Sequence, residues 1–182
     1  MTTLGVLADT HIPDRVAELD GRILQTFKRV GVTAILHAGD VSVPRVLDEL
    51  SQIAPVHAVR GNRDIFYLMK LPLHMQLEYE GIKIGLAHGH GSFTRYTVDK
   101  IHRSIHGRLV GRYLKRVLRA FAEMDVIVFG HLHVPCSLHL EGKLLFNPGS
   151  TCYPWPRGST PTYGLLHLEP GKDPVGEIIE LG

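Results

Sequence analysis

Short apolar runs recur along the chain, and almost every one stops in a cluster of Gly, Asp, Asn or His. Leu4-Gly5-Val6-Leu7-Ala8 is bounded in this way and predicts a buried strand ending at Asp9-Thr10-His11. Residues 15–30 carry Val16, Leu19, Ile23, Leu24, Phe27 and Val30 at helical spacing, the apolar stripe of an amphipathic helix. Thr33 to Leu36 is a second strand leading to Asp40, and Val43 to Ile53 a second helix. Pro55 to Val59 is a third strand running into Gly61-Asn62-Arg63-Asp64. This alternation predicts parallel βαβ units with right-handed crossovers, and so an α/β fold.

Met75 to Tyr79 alternates, Glu80-Gly81 turns, and Ile82 to Ala87 returns as a hairpin in a second part of the sheet system. Val110, Tyr113, Leu114, Val117, Leu118 and Phe121 keep helical spacing. Asp125 to Phe129 is another buried strand, delivering Gly130-His131-Leu132-His133. Pro135 to Leu140 and Lys143 to Phe146 are short strands around Glu141-Gly142, and Asn147-Pro148-Gly149-Ser150 then breaks the chain. Tyr153 to Gly158 reads as a stiff loop, and Tyr163 to Leu168 and Val175 to Leu181 close the chain as strands. With no repeat, low-complexity tract or linker, residues 1–182 are expected to form one domain.

The chemistry sits at the strand ends. Asp9-x-His11 lets a carboxylate and an imidazole leave one turn on the same side, although Asp before Thr is also an ordinary turn. Gly39-Asp40 puts a carboxylate at a strand tip, where open α/β sheets collect their ligands. In His88-Gly89-His90-Gly91 the glycines permit close backbone approach; an incidental glycine-rich turn is the alternative. His37 lies inside a strand and, like His57, His74, His139 and His167, fits a satisfied structural histidine better than a ligand.

Composition narrows the picture. A chain of 182 residues can bury a sizeable core. Its formal charge of +2 offers no global argument for a nucleic-acid partner. Twelve histidines are many for this length, and several stand directly after the apolar runs. Cys136 and Cys152 form no C-x-x-C pattern and no disulfide framework, which fits a reducing compartment. The N-terminus lacks the basic and apolar regions of a signal peptide. No apolar run approaches the ~20 residues needed to span a bilayer. A soluble, cytoplasmic protein without a membrane partner is expected.

One stretch departs from the balanced charge. Arg95, Lys100, Arg103, Arg108, Arg112, Lys115, Arg116 and Arg119 are opposed only by Asp99 and Glu123, with His102 and His106 among them. A solvated helix face accounts for this. The alternative is a basic rim attracting a phosphorylated substrate or nucleic acid. Residues 93–108 could form a flap over a site or a contact with a second subunit, so a dimer stays open.

Together, Asp9-x-His11, Gly39-Asp40, Gly61-Asn62, His88-x-His90 and Gly130-His131-x-His133, each after an expected strand, resemble the calcineurin-like metallophosphoesterases. The chain is most similar to the small single-domain phosphodiesterases of the YfcE type, and Asn147-Pro148-Gly149-Ser150 extends the likeness nearly to its end. The resemblance implies a four-layer αββα sandwich with a dinuclear metal site at the strand C-terminal tips. Asp9, His11, Asp40 and His133 would hold one ion, and Asp40, Asn62, His88 and His131 the other, with Asp40 bridging. Mixed carboxylate, imidazole and amide donors suit Mn²⁺ first, and also Fe²⁺, Zn²⁺ or Ni²⁺. The absence of thiolate argues against a closed structural zinc site. A hydroxide bridging the pair would attack phosphorus opposite the leaving group. The implied activity is a phosphodiesterase; a phosphomonoesterase or nucleotide pyrophosphatase on the same centre, or a non-catalytic interaction scaffold, are the alternatives.

One position departs from the pattern. Many relatives place a His after Gly-Asn, where it assists the leaving group; this chain has Arg63. An arginine cannot donate a proton near neutral pH, but its fork can hold a phosphate. His90 is the candidate for substrate contact or proton delivery, and Asp64 for orienting a ligand imidazole. Arg157 could bind substrate or tie down its loop. A strong preference for esters with good leaving groups follows, and equal rates on nitrophenyl and alkyl phosphodiesters would reject it.

Overall fold

A computed structural model describes residues 1–91 and 110–182. Strands β1 (Thr2–Leu7), β2 (Ala34–His37) and β3 (Val56–Ala58) alternate with helices α1 (Gly21–Val30) and α2 (Pro44–Ser51). The chain continues through β4 (His74–Tyr79), β5 (Ile82–Ala87), α3 (Val110–Ala120), β6 (Val126–Phe129), β7 (Cys136–Leu140) and β8 (Lys143–Asn147). It ends with β9 (Thr162–Leu168) and β10 (Val175–Glu180). The proposed flap at 93–108, with Arg95, Asp99, Lys100, His102, Arg103, His106 and Arg108, lies outside the described residues, as does the side chain of Arg112.

The strands form two five-stranded sheets, ordered β10-β9-β1-β2-β3 and β4-β5-β6-β8-β7. In the first, β1, β2 and β3 run parallel while β9 and β10 return antiparallel. In the second, β5, β6 and β8 run parallel with β4 and β7 antiparallel at the edges. Alternate residues of the central strands face opposite layers. Leu4, Val6, Leu36, Ile84, Leu86, Val126, Val128, Phe146 and Leu166 fill the space between the sheets. Leu7, Ile35, Tyr163 and Leu165 pack outward against Ile23 and Phe27 of α1 and Val46 and Leu50 of α2. Ile127, Phe129 and Leu145 pack outward against Val117 and Phe121, at and just beyond the end of α3. The result is an αββα sandwich, and burial on both faces is why the strands read as continuous apolar runs. Among the described residues, no helix is long and apolar enough to cross a membrane.

The first helix is shorter than its apolar stripe. It begins after Asp20, whose carboxylate accepts a hydrogen bond from the Arg22 backbone N–H at 2.9 Å. That is an N-cap, and it ends the helix against the periodicity upstream. Val16 is exposed, while Leu19 is buried from outside the helix. At the other end Gly31, at φ 69°, returns its N–H to the carbonyls of Phe27 and Lys28.

Phe27 packs closely against β1 because Gly5 leaves room for its ring. A Cβ on Gly5 would stand 2.7 Å from Phe27 Cε2. Gly5→Ala should therefore cost about 1–3 kcal/mol by overpacking, read as a lower urea midpoint at unchanged slope. Adding Phe27→Leu should recover part of the loss; a wild-type midpoint for Gly5→Ala alone would overturn this account of the contact.

Candidate metal centre

Parallel strands of both sheets aim their C-terminal ends at one place. β1 delivers Asp9 and His11, β2 delivers Asp40, and the turn after β3 delivers Asn62. From the second sheet, β5 delivers His88 and His90, and β6 delivers His131 and His133. Backbone hydrogen bonds tie the first two loops together, Asp9 N–H to Gly39 O at 3.0 Å and His11 N–H to Asp40 O at 3.1 Å. Asp9, His11, Asp40, His131 and His133 all hold positive φ, between 47° and 70°. L-residues avoid this left-handed region at a cost of about 1–2 kcal/mol each.

All seven expected ligands meet. Asp9 Oδ1 is 3.2 Å from His133 Nε2, 3.7 Å from His11 Nε2 and 4.0 Å from His88 Nε2. Asp40 presents Oδ2 to His11 Nε2 at 3.8 Å and Oδ1 to His88 Nε2 at 3.5 Å. His11 and His133 face each other through Nε2 atoms 3.2 Å apart. His88 Nε2 lies 3.2 Å from both Asn62 Oδ1 and His131 Nδ1. Two groups, Asp9–His11–His133 and Asp9–Asp40–His88, bring their ligand atoms within 4.8 Å of one another. Asp40 thus faces both groups, and Asp9 belongs to both.

The donor set fits divalent cations. Asp9 Oδ1 is buried, and among the described residues no hydrogen-bond donor is aligned on it. It looks instead toward ring nitrogens crowded at distances that a shared cation would relieve. Carboxylate, imidazole and amide oxygen donors suit borderline divalent ions.

The electrostatics are those of a tightly coupled cluster. Burial raises the Asp40 carboxyl to about 6, with Asp9 and Asp64 adding to the push and His88 opposing it. For Asp9 burial also works upward, but His133, His88 and His11 outweigh it and hold the carboxyl well below the usual range. His11 is pushed down to about 4 by burial and by His133 and His88. Burial and His88 lower His131 strongly. Burial works against His88 and His133, yet the facing carboxylates raise both. Opposed shifts within one pocket are typical of functional sites.

A calcineurin-like phosphoesterase superfamily domain matches residues 2–171. The chain belongs to this superfamily. It is 36% identical over 179 residues to a probable metallophosphoesterase of Methanothermobacter thermautotrophicus, covering 98% of this chain and 92% of that protein. Its fold is similar to a structurally characterised novel archaeal phosphodiesterase, with TM-score 0.67, 21% identity, and 98% and 100% of the two chains covered. It is also similar to wild-type Vps29 of Entamoeba histolytica complexed with Zn²⁺, with TM-score 0.68, 21% identity and full coverage of both chains.

The groups around this metallophosphoesterase centre differ in part from expectation. Asp64 does not reach a ligand imidazole. Its oxygens accept the backbone N–H groups of Asp40 at 3.0 Å, Ser42 at 2.7 Å and Gly61 at 2.7 Å, because the turn after β3 carries it, two residues beyond Asn62, back toward the Asp40 loop. Backbone carbonyls orient the rings instead: Ala38 O takes His88 Nδ1–H at 2.7 Å, and Tyr153 O takes His133 Nδ1–H at 2.5 Å. Gly61 is required by close approach, since a Cβ there would run into Asp40 Oδ1 and N. Asp40 Oδ1 also accepts the Arg63 backbone N–H at 2.8 Å. The Arg63 guanidinium stands half exposed at the mouth, 3.6 Å from Asp14. His90 is buried, and among the described residues its Nδ1 has no hydrogen-bond partner; its ring centroid is 5.3 Å from that of His88. Burial, then His88, Arg60 and Arg116, lower it to about 3, so it is a neutral imidazole. That favours a hydrogen-bonding contact over proton delivery.

Other supports carried little sequence signal. Ser150 donates its hydroxyl to Asp9 O at 2.8 Å, and Cys152 its thiol to Thr10 O at 3.0 Å. Asn147 donates its amide to Gly130 O at 3.1 Å. Thr10 Oγ1 lies 3.3 Å from His37 Nε2, which gives that buried ring its partner. Only the Asn-Pro-Gly-Ser break hinted at these contacts.

His133 holds φ 57°, so glycine there relieves strain that alanine keeps. In metal-free protein His133→Gly should be about 1 kcal/mol more stable than His133→Ala, the reverse of the usual order. Equal or inverted urea midpoints would overturn the strain argument.

Proposed function

We propose that the protein is a divalent-metal-dependent phosphodiesterase acting on a small phosphorylated substrate. The observation that carries this reading is the complete donor set, His88 included, gathered around Asp40. Asp9, His11, Asp40 and His133 would hold one ion, and Asp40, Asn62, His88 and His131 a second, with Mn²⁺ the first choice and Fe²⁺, Zn²⁺ or Ni²⁺ the alternatives. Bound there, such a pair would make water a nucleophile near neutral pH and neutralise charge on the phosphoryl group.

The chain's own groups do the positioning. Asp64, Ala38 O and Tyr153 O fix the ligand loop and two rings before substrate arrives, so no reorganisation is paid during reaction. The Arg63 guanidinium at the mouth can clamp an ester oxygen through its fork. The neutral His90 can donate or accept a hydrogen bond beside His88. Neither Arg63 nor His90 supplies an imidazolium acid to the leaving group, which supports diesters whose alcohol departs readily. A phosphomonoesterase or nucleotide pyrophosphatase would use the same residues.

A scaffold role is the second reading, favoured by the likeness to Vps29. Metal-reconstituted protein should hydrolyse at least one member of a panel of phosphodiesters, monoesters, cyclic dinucleotides and nucleoside polyphosphates. Asn62→Ala and His88→Ala should each lose at least about 100-fold in kcat/KM along with metal content, more than loss of an outer contact would cost. Full activity in both variants would remove the proposed centre. Metal uptake without any hydrolysis would favour the scaffold.

A further inference from the structure

The loop beside His133 carries a second cluster that the proposed reaction does not use. Tyr153 gives its carbonyl to His133 Nδ1–H, and its ring meets the His133 ring edge-on with centroids 5.9 Å apart. Trp155 donates its backbone N–H to His133 O at 2.9 Å. On the opposite loop Arg15 donates its backbone N–H to His11 O at 2.9 Å. Two cations then close on the Tyr153 ring: Arg15 Cζ lies 4.5 Å and Arg157 Cζ 5.8 Å from its centroid.

Both guanidiniums are exposed, and among the described residues neither has a carboxylate within ion-pair distance. Asp14, the acid next to Arg15 in sequence, is turned toward Arg63 instead. Two like charges on one ring repel, and the ring's face offsets that only in part. An anion that both guanidiniums reach would relieve it. Arginine forks match phosphate oxygens in pairs.

We infer that Arg15 and Arg157, gathered around Tyr153, form an anion subsite for a second, non-reacting phosphate, so that the substrate is an ester carrying two phosphates. As a statement about substrate it rests on the phosphodiesterase reading; as a binding site it does not. One phosphate goes to the metal centre, and its neighbour is held on the His133 side by charge-assisted hydrogen bonds from the two arginines.

Trp155 is the chain's single tryptophan and reports on this loop without turnover. Its fluorescence is titrated with ADP, inorganic pyrophosphate and adenosine in EDTA, so that neither metal nor catalysis enters the readout. Wild type should give a saturable change with ADP and pyrophosphate and none with adenosine. Arg15→Ala and Arg157→Ala should each weaken the apparent affinity for ADP about tenfold or more, the size expected for loss of a charge-assisted bond. Lys172→Ala, which removes one positive charge elsewhere, should not. Unchanged binding in both arginine variants, an equal loss in Lys172→Ala, an adenosine response matching that of ADP, or no response to ADP at all would each overturn the subsite. Failure of the phosphodiesterase reading would appear separately, in the Asn62 and His88 variants and their metal content.

Discussion

Removing a carboxylate from water costs several kcal/mol unless positive partners answer it, and Asp9 and Asp40 are both buried. Everything at the tips of the sheets is arranged around that cost. Asp9 Oδ2 takes the His131 backbone N–H at 2.8 Å, and Asp40 Oδ1 takes that of Arg63. The remaining lone pairs are turned toward imidazole nitrogens. Those nitrogens also approach one another, and a proton on one of a facing pair satisfies only that pair. A divalent cation satisfies several at once, which is why the same side chains make an awkward hydrogen-bonded cluster and a coherent ligand set.

The backbone bears part of the burden. Five of the seven candidate ligands sit in left-handed conformations, a choice that makes sense only if side-chain direction outweighs local comfort. The surroundings over-determine those conformations. Asp64 gathers three backbone amides around Asp40, while Ser150 and Cys152 hold the carbonyls of Asp9 and Thr10. None of these three need touch a metal to matter, since their work is to keep a strained loop from relaxing.

The strand ends were readable because a buried apolar run seldom stops in Asp or His by chance, and a succession of such stops is rarer still. Helix α1 shows where periodicity misleads: Val16 keeps the spacing, but the Asp20 cap decides where the helix begins. The place of β9 beside β1 depends on pairing across most of the chain, which no local pattern encodes. Asp64 looked like a partner for an imidazole because carboxylates near ligand histidines often are. Its actual partners are amides, which nearly every residue has and no sequence advertises. The sharing of Asp9 between the two groups was hidden for a related reason: it is set by how the sheets face each other, not by spacing along either.

That facing has a mechanical consequence. Asp9, His11, Asp40 and Asn62 ride on one sheet, and His88, His131 and His133 on the other, and away from the site the layers meet largely through apolar side chains. An ion gripped from both sides would act as a rivet through the sandwich. Sliding of one layer over the other by a fraction of an ångström would loosen the grip. Conversely, filling the centre would stiffen an interface whose bulk lies far from any ligand.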